Sequence, residues 1–304
     1  MSLPRTLLAC LLFLAAAAAQ ARELIPDPAF QQGFNVFDPA PGKHVDRGPL
    51  TWPGVTGAPV WGIAQWSSKH SLAGVPPETL PSGAFRFADA SKYLIAGGPE
   101  SPGADLVMGM DSRQEFHGQY RKQDEPWPHL LVEQSLPGSP ALAEVPALRF
   151  RVQCRLTHAE RFESDGYNPG LHAAQFLIYF TVQNLNPAST RHGDYLWLGV
   201  PLYDDRAPSV GESHHMDKGT GKMIYTPPFS AYSAKSLHTG EWIAIDVDLL
   251  PIAMRGLEIA WAEGLLADSK DLSHYHLSGM NMGYEMPGIN KVEVQIRGLS
   301  LSSE

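Results

Sequence analysis

Six segments after residue 126 alternate between apolar and polar residues, and this feature most limits what the chain can fold into. In chain order they are HLLVEQSL, LRFRVQCRL, AQFLIYFTVQN, DYLWLGVPLYD, EWIAIDVDLL and KVEVQIRGLSL. A period of two is typical of strands with one buried face and one solvated face. Turn residues bound nearly all of these segments. The pattern predicts an all-β fold, a two-sheet antiparallel β-sandwich of the jelly-roll type.

The alternation is interrupted once, near residues 250–266, where apolar residues roughly follow helical spacing and predict one short helix. Residues 22–125 hold 12 prolines and 13 glycines, but also 11 aromatic residues. Because a disordered tail lacks such aromatic anchors, we expect an ordered, loop-rich segment packed on the sandwich. Short strands are predicted within APVWGIAQW and SKYLIAG. Residues 126–304 would form the sandwich core, with 22–304 as one domain.

Residues 1–21 have the composition of a cleaved signal peptide, with Arg5, an apolar run and a small-residue site that ends at Ala21. The apolar run is shorter than a typical transmembrane helix, and no later apolar segment is long enough to span a membrane. We therefore expect a secreted or periplasmic protein. Without residues 1–21 the formal net charge changes from −9 to −10. This balance argues against a nucleic-acid partner, which requires a clustered basic surface.

Cys154 is the single cysteine after residue 21, so an intramolecular disulfide cannot form. The alternation assigns Cys154 to the core, where a thiol behaves as a small apolar group. We expect this thiol to be buried and inert.

The outward faces of the predicted strands combine arginine, glutamine, aspartate, tyrosine and tryptophan. Sugars need this mixture, because their C–H faces stack on aromatic rings while their hydroxyls need rigidly held donors and acceptors. Arginine adds bidentate recognition if the sugar carries a carboxylate or a sulfate. The candidate ligand-binding residues are Arg149, Gln153, Gln175, Tyr179, Gln183, Tyr195, Trp197, Tyr203, Trp242 and Asp246. The partner we expect is a polysaccharide or oligosaccharide. Because arginine binds carboxylates and sulfates, an anionic sugar is also compatible with these residues.

A simpler interpretation of the same residues stays open. Outer faces of sandwiches are usually solvated, and Arg149 or Arg151 could pair with Asp246, Asp248 or Glu293 across strands. The polar residues could also divide between two opposite outer faces, of which one is the groove.

The stretch GESHHMDKGTGKMIYTP, residues 211–227, places two histidines and an aspartate among three glycines. It is compatible with a polar loop, with a mobile ligand-binding loop, or with a metal site that lacks a third ligand. As a catalytic loop it would supply His214 or His215 and Tyr225 for β-elimination from a uronic acid. Arg151 or Arg149 would then neutralise the carboxylate.

Other chemistry carries weaker signals. A glycosidase needs two facing carboxylates, and Glu133, Asp246, Asp248 and Glu285 are available. Asp204 and Asp205 could hold calcium, although no calcium motif surrounds them and a turn with a local aspartate–arginine pair is the alternative. We therefore expect no cofactor.

The start of the predicted mature chain, LIPDPAFQQGF, resembles the opening strand of secreted carbohydrate-binding jelly rolls, and the end, VEVQIRGLSL, resembles their closing strand. The strand faces rich in Arg/Gln and Tyr/Gln are similar to those of jelly-roll polysaccharide lyases. The resemblance implies a secreted carbohydrate-active protein that recognises a polysaccharide. One alternative is an enzyme acting in the same groove, with a polysaccharide lyase favoured over a glycoside hydrolase. A non-catalytic structural or protein-interaction sandwich at the cell surface is another.

Overall fold

The computed structural model describes residues 21–97, 103–163 and 165–304, so the predicted signal peptide lies outside the described residues except for Ala21. The strands are β1 (Arg22–Glu23), β2 (Phe34–Phe37), β3 (Asp46–Leu50), β4 (Trp61–Ala64), β5 (Glu78–Thr79), β6 (Phe85–Ala88), β7 (Lys92–Ala96), β8 (Leu106–Asp111), β9 (His129–Ser135), β10 (Leu148–Arg161), β11 (Gln175–Asn184), β12 (Tyr195–Asp204), β13 (Ser213–Met216), β14 (Met223–Thr226), β15 (Ile243–Asp248), β16 (Tyr275–Glu285) and β17 (Asn290–Ser303). The α-helices are α1 (Arg113–Phe116) and α2 (Leu250–Ala262).

The strands form two sheets, and the predicted all-β two-sheet sandwich is confirmed. Sheet A has the order β15-β10-β17-β8-β7-β6-β5, with β1 paired to β17. Sheet B has the order β13-β14-β12-β11-β16-β9-β4-β2-β3. The pairing is antiparallel except between β12 and β14 and between β2 and β4. All six alternating segments are strands, and they divide between the two sheets.

The core lies between the sheets and is built from the apolar half of each alternating segment. On β10, Phe150 and Val152 are buried, and on β11, Phe176 and Phe180 are buried. The rings of Phe150 and Phe180 meet edge to face, with centroids 5.2 Å apart, and so join the two sheets. Each such side chain contributes about 1.5–3 kcal/mol when it is removed from water. The strand period therefore determines which half of each strand faces the core.

Cys154 lies in this core, as the alternation predicts. Its side chain is buried, and burial raises the pKa of its thiol to about 12, because a thiolate would lose its hydration there. The thiol is therefore protonated and unreactive at neutral pH.

The segment 22–125 contributes more strand than the two predicted pieces. Both of those are present, as β4 and β7. The segment also supplies β2 and β3 to sheet B and β5, β6 and β8 to sheet A, so it is part of both sheets. Its aromatic residues anchor it, as in the contact between Phe30 and Trp61, whose ring centroids are 4.9 Å apart. The division at residue 125 stays a prediction.

Helix α2 is the helix predicted near residues 250–266. Proline lies in its first turn, where the missing N–H costs nothing. Its buried residues include Ala253, Leu257 and Ala260. Within the parts of the chain that are described, no helix has the length and apolar character needed to cross a bilayer.

Candidate functional site

The outer face of sheet B carries a groove of about 1410 Å³. Its floor consists of outward-facing side chains from β12, β11, β16 and β9, and its walls include the loops before β3 and after β13. Residues of the floor and walls used below are His44, Trp66, Trp127, His129, Glu133, Gln175, Tyr179, Tyr195, Trp197, Tyr203, His215, Asp217, Thr220, Asn281 and Glu285. The groove therefore draws on strands from both the N-terminal and the C-terminal parts of the chain.

Three aromatic rings lie together from one end of the groove to the middle of its floor, with Tyr195 and Trp197 at the end and Tyr179 nearer the middle. Tyr195 and Trp197 meet edge to face with centroids 5.1 Å apart, and Tyr179 meets Trp197 in the same way at 5.9 Å. All three are half-buried, because each ring leaves part of its surface open to the groove. The Trp197 Nε1–H points at Thr220 Oγ1, at 3.4 Å, in the turn between β13 and β14. This end offers flat apolar surfaces beside a polar turn.

A second aromatic group lies at the other end. Trp127 and His129 are stacked with centroids 5.9 Å apart, and the Trp127 Nε1–H donates to Glu285 Oε2 at 3.2 Å. His129 Nε2 is 3.8 Å from the same carboxylate oxygen. Trp66 also lines this part of the groove. Glu285 therefore accepts one hydrogen bond, from Trp127, and the His129 ring nitrogen lies nearby without a hydrogen bond to it.

A polar row crosses the middle of the floor. Tyr179, Asn281 and Glu133 occupy directly opposed positions on β11, β16 and β9, and Gly62 on β4 continues the row. Opposed side chains in an antiparallel pair have Cβ atoms about 4.5–5.5 Å apart. Asn281 Oδ1 is buried without a hydrogen-bond partner among the described residues. A buried amide oxygen without a partner is costly, so this position in the floor carries an unsatisfied acceptor.

Glu133 is a half-buried carboxylate in the middle of the groove floor. Burial raises the pKa of its carboxyl group above the usual value, and the nearby His44 partly opposes this effect. His44 Nε2 lies 2.6 Å from Glu133 Oε1. A glutamate with a raised pKa retains its proton closer to neutral pH, as a general acid must.

Tyr179 is neutral at physiological pH. Burial raises the pKa of its phenol well above 10, and the negative charges of Glu285 and Asp217 act in the same direction. The hydroxyl is therefore a donor and acceptor that suits sugar hydroxyls.

The predicted residues on sheet B lie in or beside this groove. Those that line it are Gln175, Tyr179, Tyr195, Trp197 and Tyr203. Gln175 is engaged with Asp204, at 2.8 Å, and Tyr203 is nearly buried, with 6% of its surface exposed. Gln183 is on the same strand face, but its amide donates to the carbonyl oxygen of Gly193 at 2.7 Å. Of these residues, Tyr179, Tyr195 and Trp197 offer the most surface to a ligand.

The candidate residues on sheet A do not line that groove, so the polar residues divide between two opposite outer faces, the alternative that the sequence left open. Arg149, Arg151 and Gln153 are on β10, and Asp246 is on β15, on the opposite outer face of the sandwich. Both arginines lie against Asp246, and the Arg151 Nε is 3.1 Å from its carboxylate. The cross-strand pairing that the sequence left open is therefore what forms.

Trp242, which precedes β15, also lies on the sheet A side. The guanidinium carbon of Arg297 on β17 is 4.0 Å from the centroid of its ring. Gln153 accepts a hydrogen bond from the Arg297 Nε–H at 2.9 Å. These groups bind one another across strands rather than facing the groove.

The four residues predicted to be catalytic are likewise not brought together. His215 lines the groove, whereas His214 points to the other side of β13 and lies 2.8 Å from Glu263. Tyr225 is nearly buried, and its hydroxyl donates to Glu212 Oε1 at 3.0 Å. Burial and Glu212 raise the pKa of Tyr225 to about 12. Arg151 is on sheet A, so the predicted elimination site corresponds to no single cluster.

The suggested calcium ligands are engaged elsewhere. Asp204 pairs with Arg206, at 2.6 Å, and Asp205 pairs with Arg161, at 2.8 Å. Over the described ranges, no group of three or more His, Cys, Asp or Glu side chains is arranged to hold a metal ion.

Sequence reasoning named Glu133 and Glu285 only as available carboxylates, and it missed His44, Trp66, Trp127 and Asn281. The alternation of HLLVEQSL does place His129 and Glu133 on the polar side of β9. His44 comes from a loop with no periodic signal. Its position depends on tertiary contacts that a single sequence does not display.

No protein-family model matches the chain, and no curated protein sequence matches it. Solved structures similar to this chain include an engineered thermostable cellulase derived from that of Rhodothermus marinus. It is 9% identical, with a TM-score of 0.41, and the alignment covers 80% of this chain and 100% of that one. A family 12 xyloglucanase from Bacillus licheniformis is 10% identical, with a TM-score of 0.38 and coverages of 75% and 100%. Trichoderma harzianum endoglucanase 3, of family GH12, is 11% identical, with a TM-score of 0.38 and coverages of 79% and 97%. At these identities and scores we take no activity, ligand or site residue from these proteins.

Proposed function

We propose that this protein is a secreted carbohydrate-active protein that binds a polysaccharide chain along the groove of sheet B. The observation that carries the proposal is the arrangement of the groove floor, with aromatic rings at both ends and the row of Tyr179, Asn281 and Glu133 between them. Rings present the flat apolar surface on which sugar C–H faces stack, and the polar row supplies donors and acceptors for hydroxyls. The groove is open at the surface, which suits a chain rather than a single small ligand.

The groove favours an uncharged polysaccharide. Arg206, at its edge, is engaged by Asp204, which leaves Lys218 as the other lysine or arginine among the lining residues, whereas Glu285 and Asp217 are carboxylates that line it. A uronate chain would place its own carboxylates near these groups and would be repelled. The arginines that the sequence offered for a sugar carboxylate lie on sheet A, so they cannot act here.

The direct test is affinity electrophoresis through gels that contain one polysaccharide each. The panel would include neutral glucans, mannans and xylans together with uronate polymers. We expect retardation by at least one neutral polymer and no retardation by the uronates. Mobility that is unchanged by every neutral polymer would contradict the proposal.

Hydrolysis of the bound chain is a second candidate function, and the environment of Glu133 favours it. Glu133 would protonate the glycosidic oxygen as the bond to the anomeric carbon breaks, and Glu285 would accept a proton from the attacking water. The strand register offsets the two residues by four positions, because Glu133 faces Asn281 and Glu285 faces His129. At about 3.4 Å per residue their Cα atoms are about 14 Å apart. The carboxyl groups would have to lean towards each other to reach the roughly 6.5–9.5 Å of an inverting pair, and the 5–5.5 Å of a retaining pair is further from this spacing.

Glu133→Gln tests the reaction separately from binding. The amide keeps the shape of the side chain but cannot donate the proton, so we expect the release of new reducing ends to fall by about 10²–10⁴-fold. Retardation in the neutral gel should be retained. Hydrolysis by the variant at the wild-type rate would exclude Glu133 as the acid. If wild-type protein is retarded and releases no reducing ends, the binding role stands alone.

A lyase reaction would instead produce an unsaturated product that absorbs in the ultraviolet. The scattered positions of His214, Tyr225 and Arg151 give that alternative no common site.

A further inference from the structure

We propose that His44 is a positioning residue for Glu133, and that this contact sets the pH range over which the groove is active. The inference rests on the proposed hydrolysis, because it concerns how the acid of that reaction is held. Five observations support it: the contact itself, the two rings that fix His44, the glycine that makes room for them, the hydrogen bonds that tie the loop of His44, and the neutral surroundings of Glu133.

The imidazole is fixed by two aromatic rings. Phe37 meets the His44 ring at 5.0 Å with an interplanar angle of 82°, and Trp66 meets it at 5.2 Å with an angle of 85°. Both contacts are edge to face, a preferred geometry for aromatic pairs. They hold the ring plane so that Nε2 points at Glu133 Oε1, 2.6 Å away. The two rings therefore restrain the orientation of the His44 side chain relative to Glu133.

Gly62 provides the space for this arrangement. It is the cross-strand neighbour of Glu133 on β4. A Cβ atom on Gly62 would lie 2.3 Å from Phe37 Cε2, so any side chain there would displace the ring. The missing side chain lets Phe37 lie over the strand next to Glu133, and Phe37 in turn supports His44.

The loop that carries His44 is tied at both ends. The backbone N–H of Asp38 donates to the carbonyl oxygen of Val45 at 2.9 Å, and the Asp38 carboxylate accepts from Arg47 Nε at 2.8 Å. The N–H of Ser67, next to Trp66, donates to the carbonyl oxygen of Pro39 at 2.8 Å. These bonds fix the loop against the strand that ends at Ala64, so His44 is presented from a defined position.

The other groups that face Glu133 are neutral or more distant. Asn281 and Tyr179 continue its row, and Tyr179 is protonated because its pKa is raised. Glu285 lies four residues from Asn281 on β16, and His129 lies four residues from Glu133 on β9, so both are further away. Among the described residues, His44 is the group whose positive charge and hydrogen bond lower the pKa of Glu133, against the effect of burial.

The direction of the effect follows from these opposing contributions. Imidazolium stabilises the carboxylate, whereas burial stabilises the protonated acid. When His44 is replaced by an uncharged residue, burial acts unopposed and Glu133 retains its proton to higher pH. A reaction that needs protonated Glu133 should then lose rate at a pH about one unit higher than in the wild type. A close opposite charge is worth about one to three pKa units, and the exposure of His44 to solvent places its effect at the low end of that range.

The experiment follows the Glu133 carboxyl carbon by NMR through a pH titration, assigned by its loss in Glu133→Gln, in wild type and in His44→Gln. The control is His158→Gln, which removes the histidine of an exposed pair with Glu160, at 3.7 Å, on sheet A. We expect the Glu133 midpoint to rise by about one pH unit in His44→Gln and to stay unchanged in His158→Gln. A midpoint that is unmoved or lowered in His44→Gln overturns the proposal.

The rate arm compares hydrolysis by the same proteins across pH. In His44→Gln, the pH at which the hydrolysis rate falls on the alkaline side should rise together with the titration midpoint of Glu133. In His158→Gln, it should stay unchanged. If the titration midpoint of Glu133 moves while the alkaline fall of the hydrolysis rate does not, the role of His44 in the reaction is overturned. If the wild-type protein hydrolyses no polysaccharide in the panel, the proposed reaction fails, while the midpoint still decides whether His44 controls the protonation of Glu133.

Discussion

Trp197 shows what a single residue can contribute to the groove. It is half-buried, and Tyr195 and Tyr179 contact its ring edge to face, so the ring is already ordered before any ligand binds. Ordering a side chain in advance reduces the entropy that binding would otherwise cost. A ring held in this way is a suitable platform for a sugar.

We predict that Trp197→Ala weakens binding to the retarding polysaccharide by roughly 2- to 12-fold, since an aromatic contact is worth about 0.5–1.5 kcal/mol beyond its buried area. The ring lies on the outer side of β12, so the fold should be retained. Relative mobility in affinity gels measures the change.

The control is Trp242→Ala, which removes a tryptophan on the sheet A side. It should leave affinity unchanged. Equal loss in the two variants, or no loss in Trp197→Ala, would argue against the aromatic end of the groove as a binding surface.

At the scale of elements, β16 forms the centre of the groove floor and was not among the predicted alternating segments. Its inward residues Leu277 and Met280 are three positions apart, because a register shift interrupts the pairing with β11 near Thr181 and Val182. A bulge of this kind reverses the phase of the alternation, so a search for a period of two fails across it. The four-residue strands β13 and β14 are too short to show a period at all.

Gly283 tests the packing of β16 against β9. Its φ is +151°, and a Cβ atom would lie 2.0 Å from the carbonyl oxygen of Leu130. We predict that Gly283→Ala lowers the free energy of unfolding by about 2–4 kcal/mol, because it adds both backbone strain and a clash with main-chain atoms. Urea unfolding measures this loss.

Gly264→Ala separates the two contributions. Gly264 has φ +77° but nothing within 4 Å of the added Cβ, so it should lose only about 1 kcal/mol through backbone strain. If the two variants lose the same stability, the close approach of β16 to β9 is not what requires glycine at position 283.

At the scale of the whole molecule, much of the fold could be predicted from the sequence, but less of the candidate site. Alternation identifies which side of each strand faces the core, as Phe150 on β10 and Phe180 on β11 show. It does not identify the sheet to which a strand belongs. Arg151 and Tyr179 have the same outward character, yet they lie on opposite faces of the sandwich. Strand order is set by long-range pairing, which local patterns do not encode.

The same limit explains the loop residues. His44 approaches Glu133 across 89 positions of sequence, and Trp127 approaches Glu285 across 158. Such contacts follow from the order β16-β9-β4-β2 in sheet B. Once that order is known, the polar sides of these strands show that the carboxylates and rings share one groove.

The most direct test of this account is a crystal structure of the Glu133→Gln variant with a linear oligosaccharide of the neutral polymer that retards the protein. The account predicts sugar rings along sheet B, stacked at Trp197 at one end, crossing position 133 and continuing towards Trp127. Sugar bound on sheet A beside Trp242, with an empty sheet B groove, would contradict it.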